Sequence, residues 1–228
     1  MNWFAFRCIY CQKKLAIGSH GLCCSCNKQI RRFNYCGVCG SELAENTLGC
    51  GNCLQNRPAW HRMVIIGAYK MPLSSLIHRF KFQNSFYFDR TLARLLYLAI
   101  RDARRTHGLM LPEVIIPVPL HHFRHWRRGY NQADLLAGQL AKWLNIPCNN
   151  RLIKRVKHTR TQRGLSAAAR RVNLRKAFRF ADKKQACPYK SVALVDDVIT
   201  TGSTLNALAG LFVQQGVEQI QVWGLARA

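Results

Sequence analysis

Four C-x-x-C pairs fall within the first 53 residues of the chain: Cys8 with Cys11, Cys23 with Cys26, Cys36 with Cys39, and Cys50 with Cys53. No other feature restricts the fold as strongly. A C-x-x-C turn points two thiolates at one point, and two such turns complete the tetrahedral four-sulfur site that suits zinc. Glycines flank the cysteines in CGVCG and GCGNC, as tight turns that aim backbone amides at sulfur require. Eight cysteines so spaced predict two zinc sites. Sequential pairing of the turns gives two small ribbons in tandem, and alternating pairing gives a cross-braced module. The short gaps inside each pair favour the sequential form. Cys24 adjoins Cys23, but only Cys23 keeps the two-residue spacing to Cys26. Disulfide or redox chemistry is the competing use of such a block. The segment is too short to bury much core, so the metal is expected to hold residues 1–56 together. It could bind nucleic acid, bind protein or brace the domain that follows.

The charge is lopsided. The chain has 35 Lys and Arg against 10 Asp and Glu, a formal net charge of +25. Between Val114 and Phe180 there are 15 Lys and Arg and one acid, Asp134. Such an excess repels itself unless anions lie nearby, which points to a polyanionic partner rather than an ordinary solvated surface. No run of 18 apolar residues appears, and the N-terminus MNWFAFRCIYC has no long apolar core of a secretion signal, so no transmembrane segment and a cytoplasmic location are expected.

From Arg57 onward the cysteine pairs stop and apolar segments alternate. Met63–Tyr69, Glu113–Leu120, the run VALVDD and Ile220–Arg227 predict strands. Pro72–Phe82, Arg90–Arg105, Asn131–Leu144 and Ser203–Gln215 predict helices, the last closed by Gly216. Strands alternating with helices mean an α/β domain over residues 57–228, with a mostly parallel sheet covered on both faces. Ligands in such sheets bind beyond the carboxyl ends of the strands. There VALVDDVITTGST places Asp196 and Asp197, followed by small hydroxyl residues and a glycine that open a helix. Backbone N–H groups at a helix start attract phosphate, and adjacent carboxylates suit sugar hydroxyls or a hydrated cation. A receiver domain also carries adjacent acids after an apolar strand, but after its first strand. An ordinary cap and turn would leave two carboxylates as costly neighbours.

VALVDDVITTGST resembles the signature with which type I phosphoribosyltransferases bind phosphoribosyl pyrophosphate (PRPP). That resemblance assigns Asp196 and Asp197 to the ribose hydroxyls, and Thr200, Thr201, Gly202, Ser203 and Thr204 to the 5-phosphate. The whole chain resembles a narrower group, the ComF/GntX proteins, in which a cysteine-rich zinc module precedes a phosphoribosyltransferase-like domain. The C-x-x-C pairs carry this likeness, with the HRFKFQ segment around Lys81, IPVPLHHFRHWRRGYNQADLLA (Ile116–Ala137) and TRTQRGLSAAARRVNLRKAF (Thr159–Phe178). It implies a role in natural competence, the uptake and use of imported single-stranded DNA. It also implies zinc, and Mg²⁺ with PRPP.

Two basic segments have a physical reading of their own. HHFRHWRRGYNQ interleaves arginines with Phe123, Trp126 and Tyr130, so Arg124, Trp126 and Tyr130 could hold phosphates and stack on bases. Trp126 and Phe123 could equally be core or interface residues. In the resembled enzymes this loop contacts pyrophosphate, which makes Arg127 and Arg128 candidates. Thr159–Phe178 falls where that family carries a loop closing over PRPP. Arg160, Arg163 and Arg170 could then neutralise pyrophosphate, Arg170 and Arg171 could contact nucleic acid, and a solvated basic helix face is the alternative. Lys81 is a further pyrophosphate candidate. No catalytic residue is assigned. The chain ends four residues after Gly224 without a recognisable hood over an acceptor base, so binding in DNA uptake is ranked ahead of an active Mg²⁺-dependent transferase with an unknown acceptor. A helicase that moves DNA could dock on the zinc module.

Overall fold

The computed structural model describes residues 6–83, 86–120, 129–156, 177–182 and 186–228. Within them run α1 (Cys24–Lys28), α2 (Gly51–Gln55), β1 (Arg62–Ala68), α3 (Leu73–Phe82), α4 (Asp89–Thr106), β2 (Val114–Pro117), α5 (Gln132–Leu144), β3 (Ile153–Arg155), β4 (Phe178–Phe180), β5 (Ser191–Ile199), α6 (Ser203–Gln214) and β6 (Gln219–Arg227). Four strands form one sheet in the order β1-β6-β5-β2, every pair parallel. The antiparallel pair β3–β4 stands apart from it. The architecture is the α/β class expected, with two four-cysteine groups at the N-terminus.

The strands are nearly continuous apolar runs because both faces are covered. All four residues of β2 are buried, as is β6 from Ile220 to Ala226. One face carries α3, α4 and α5. Their Leu76, Phe80, Leu96, Ile100, Leu136 and Leu140 share a core with Val64, Ile115, Val195 and Trp223. In α4 the buried Leu92, Leu95, Leu96, Ile100 and Ala103 repeat at helical spacing, which fixes the stripe that meets the sheet. The other face carries α6 and the β3–β4 pair, where Leu205, Leu208, Phe212 and Phe178 pack with Ile65, Ile116, Leu194 and Val222. The Asn131 side chain caps α5 by accepting from the Ala133 N–H. Gly216, at φ 78°, closes α6.

Two departures from the sequence expectations matter for the site. β2 ends at Pro117, short of Leu120, while β5 continues to Ile199, past both acids. β6 causes the second. It pairs with β5 as far as Ile199 opposite Arg227, whereas β2 pairs only as far as Val195 opposite Pro117. One further bond, from the Val118 N–H to the Val195 carbonyl at 2.9 Å, closes the β2–β5 ladder. The β3–β4 pair was not expected, since strands of three residues show no period to read. No helix among the described residues is long and apolar enough to cross a membrane.

Candidate functional site

Because β5 outruns β2, Asp196 and Asp197 stand at the end of the sheet with β6 as the paired neighbour, Asp196 opposite Gly224. Asp197 Oδ1 lies 2.7 Å from Lys81 Nζ, both side chains mostly buried. Lys81 belongs to the last turn of α3, and the buried Leu73, Leu76, Ile77 and Phe80 set the roll of that helix. The same Asp197 oxygen accepts the Val198 N–H at 2.6 Å, and Asp196 Oδ1 accepts the Asp197 N–H at 2.8 Å. Among the described residues Asp196, unlike its neighbour, has no salt-bridging cation. Burial pushes its carboxyl up to about 7, and the adjacent Asp197 pushes the same way. The Asp197 N–H bond, Lys81 and Arg155 oppose them. Near neutral pH, Asp196 can therefore offer either a carboxylate or a carboxylic O–H.

The chain then turns through Thr200 and Thr201 into Gly202, at φ 72°. A Cβ on Gly202 would lie 2.8 Å from the Trp60 ring, so glycine is required both by conformation and by space. Thr201 Oγ1 lies 2.8 Å from Ser203 Oγ and accepts the Ser203 N–H at 3.3 Å. The first turn of α6 leaves backbone N–H groups without helical partners at its positive end. Asp196 and the stretch Thr200–Leu205 line one concavity of about 60 Å³. The structure thus brings together Asp196, Thr200, Thr201, Gly202, Ser203 and Thr204, and joins Lys81 to them through Asp197.

Each four-cysteine group is linked to an element that borders this site. Cys8, Cys11, Cys23 and Cys26 bring their sulfurs together, as do Cys36, Cys39, Cys50 and Cys53, each set within 4.8 Å. The grouping is sequential along the chain, with Cys23 rather than Cys24 in the first set. A tetrahedral zinc thiolate site with Zn–S near 2.3 Å has sulfur–sulfur edges of about 3.8 Å. The Cys11–Cys23, Cys39–Cys50 and Cys36–Cys53 separations are 3.7, 3.7 and 3.9 Å. Burial and then the neighbouring cysteines push the thiols of Cys26 and Cys53 far up. Four thiolates so close need a cation between them, and both sets fit zinc.

The first group meets α3. The Arg79 guanidinium, two residues before Lys81, donates to the carbonyl of Ile9 at 2.8 Å. The second group meets the loop before α6 and the end of β5. Trp60 Nε1 donates to the Val38 carbonyl, between Cys36 and Cys39, at 2.7 Å. The same indole lies against Gly202. Arg227 donates to the Cys39 carbonyl at 3.3 Å and to the Ile199 carbonyl at 3.1 Å.

Of the remaining candidates, Tyr130 is half-buried. Its hydroxyl donates to the Phe80 carbonyl, and its ring sits 6.0 Å from the Phe80 ring. Arg124, Trp126, Arg127, Arg128, Arg160, Arg163, Arg170 and Arg171 lie outside the described residues. Sequence reasoning missed Trp60, Arg79, Arg155 and Arg227. Only Trp60 left a signal: a large aromatic in NRPAWHRM, where a polar joint would be expected between a cysteine block and the first strand.

The parallel sheet, the paired acids at the end of β5 and the small-residue loop into α6 make this an α/β protein with a candidate ligand site at the carboxyl end of its sheet. Among curated proteins the chain is 66% identical over 228 residues to competence protein F of Haemophilus influenzae, covering all of both chains. It is 42% identical over 221 residues to the DNA utilization protein YhgH of Escherichia coli (strain K12), 96% of each chain. It is 25% identical over 211 residues to competence protein ComFC of Bacillus subtilis, 86% of this chain and 79% of that one. The chain belongs to the ComF/GntX family of competence and DNA utilization proteins. Solved structures that align with it include a hypoxanthine phosphoribosyltransferase of Trypanosoma cruzi, at 20% identity and TM-score 0.38 over 62% of this chain and 65% of that one. Another is a purine phosphoribosyltransferase of Pyrococcus horikoshii, at 19% identity and TM-score 0.34 over 60% and 83%. No protein-family model matches the chain.

Proposed function

We propose that the protein serves the uptake or use of DNA, as the names of its relatives state for them. In this reading it binds PRPP with Mg²⁺ at the end of β5 and single-stranded DNA on its basic face. The observation that carries the reading is the shared concavity of Asp196 and Thr200–Thr204, with Lys81 held on Asp197. The loop amides and hydroxyls of Thr200, Thr201, Gly202, Ser203 and Thr204 would take the 5-phosphate, and Asp196 and Asp197 the ribose hydroxyls. Lys81 neutralises one of the two acids, so a multiply charged phosphate can approach without facing a double negative charge. Mg²⁺ would supply charge neutralisation at the pyrophosphate, with Arg127, Arg128, Arg160 and Arg163 as further cations. Zinc in the two four-cysteine groups would organise residues 1–56 as a module against the domain of residues 57–228. The site supports binding. Turnover would need an acceptor, which no residue here identifies.

Titration calorimetry of PRPP and Mg²⁺ into the full chain tests the reading. Saturable binding is expected, weakened at least tenfold in Asp196→Asn/Asp197→Asn through lost charge-assisted hydrogen bonds. No binding, or equal binding by the variant, would sink it. Single-stranded DNA affinity should fall steeply with salt, and Arg127→Gln/Arg128→Gln should flatten that slope by about two.

A further inference from the structure

At the opposite end of the sheet, where β5 and β6 begin, a cavity of about 430 Å³ is lined by Arg57, His61, Arg62, Ser191 and Gln219, with the exposed Met110 beside them. β5 is nine residues long. At about 3.3 Å per residue, the cavity lies roughly 25–30 Å from the loop at Gly202. Ligands of parallel sheets gather at the carboxyl ends of the strands, so this cavity at the amino ends owes nothing to the site around Asp196.

Its chemistry is one-sided. No carboxylate is among its lining residues. Neither Arg57 nor Arg62 forms an ion pair among the described residues. His61 is held by its backbone, whose N–H donates to the Ile220 carbonyl at 2.8 Å, and by its ring, whose Nδ1 accepts the Ile220 N–H at 3.1 Å. An imidazole that accepts at Nδ1 carries its proton on Nε2. That N–H has no partner among the described residues. Burial, then Arg57 and Arg62, hold the His61 pKa below its ordinary value, as a locally positive field requires. Guanidinium forks match phosphate oxygens in pairs. The volume exceeds what an inorganic phosphate fills and falls in the range of small-ligand sites. Met110 offers a soft, adaptable apolar surface at the edge, suited to a base.

We propose that this cavity is a second anion site that takes the phosphate monoester of a nucleotide, either free or at the 5′ end of a DNA strand. Arg57 and Arg62 grip the phosphate, His61 Nε2–H donates to it, and Met110 lies under the base.

The test follows the His61 ring in the full chain by NMR of ¹⁵N-histidine-labelled protein at physiological salt, with His61→Gln identifying its signal. The probes are thymidine 5′-monophosphate, a short 5′-phosphorylated thymidine strand and the same strand ending in a 5′-hydroxyl. The expected result is a saturable His61 shift, weakened at least tenfold by Arg57→Gln/Arg62→Gln. It should be unchanged by Arg90→Gln/Arg104→Gln, which removes the same charge from the exposed side of α4, and by Asp196→Asn/Asp197→Asn. Response to the monophosphate assigns a free nucleotide. Response to the phosphorylated strand alone assigns a strand end. A non-saturating shift, an equal response to the hydroxyl strand, or equal losses in both arginine variants would mean a general basic surface and overturn the proposal.

Discussion

The two four-cysteine groups have the same donor set and the same internal spacing of turns, yet they meet the rest of the protein differently. The first is continuous with the main core. Cys8, Leu22, Cys26 and Ile30 pack with the helices of the α3–α4–α5 face, and Gly21 sits so close to Thr91 that a Cβ would collide with it. The second has only a small core of its own, Cys36, Val38 and Cys53. It reaches the sheet through backbone and side-chain bonds instead: Gly37 to Met63, Val38 to Trp60 and Cys39 to Arg227. The difference teaches that the same four-sulfur set can join the main core in one place and lie behind a loop in another. The first group is joined to the packing that places α3 and hence Lys81. The second lies behind the loop that begins α6.

The largest effect should come from breaking the first group. Cys26→Ser puts a hydroxyl and a missing ligand into the main core, so most of the cooperative transition and one equivalent of zinc should be lost, read by calorimetry and metal analysis. Cys53→Ser should also release one equivalent but leave the sheet and its face helices folded. If the two variants melt alike, the contrast fails.

Trp60→Leu sharpens the comparison without touching a cysteine. It opens space against Gly202 and leaves the Val38 carbonyl without its donor, a loss of about 2–3 kcal/mol. Zinc content should stay at two equivalents while PRPP affinity drops. Unaltered PRPP affinity in a folded Trp60→Leu would show that the second group does not position the loop. Gly202→Ala attacks the same contact from the other side and should cost about 1–2 kcal/mol, from its positive φ and from the collision with the indole.

A pH-dependent effect concerns Asp196. Its folded pKa of about 7 stands above the ordinary carboxyl value of 3.8. The folded state then binds more protons than the unfolded state across that window. Stability therefore falls as pH rises from about 4 to 7, and the loss is complete above it. Asp196→Asn removes this dependence. It should melt a few degrees higher than the parent at pH 8 and match it near pH 4, as scanning calorimetry at both pH values would show. A variant less stable at pH 8 would contradict this origin of the raised pKa.

Much of this was legible in the residues. The C-x-x-C spacing announced both sulfur sets because metal geometry is local. VALVDDVITTGST announced the acids and the loop because a strand end, a glycine turn and a helix start are adjacent in the chain. The partnership of Lys81 with Asp197 was not legible, since they lie 116 positions apart and only the roll of α3 brings the ammonium over β5. Trp60 was hidden for a similar reason: its two contacts, Val38 and Gly202, lie in different parts of the chain. The length of β5 depended on β6 pairing beyond β2, a tertiary fact with no trace in the run itself.

The most direct measurement is amide hydrogen exchange across Thr200–Leu205, compared between the zinc-loaded parent and Cys50→Ser. The second group, acting through Trp60, should hold these amides. The account predicts that they exchange much faster in the variant, while α3, α4 and the strands β5 and β6 keep their protection. Unchanged exchange in the loop, or equal loss of protection throughout the sheet, would contradict it.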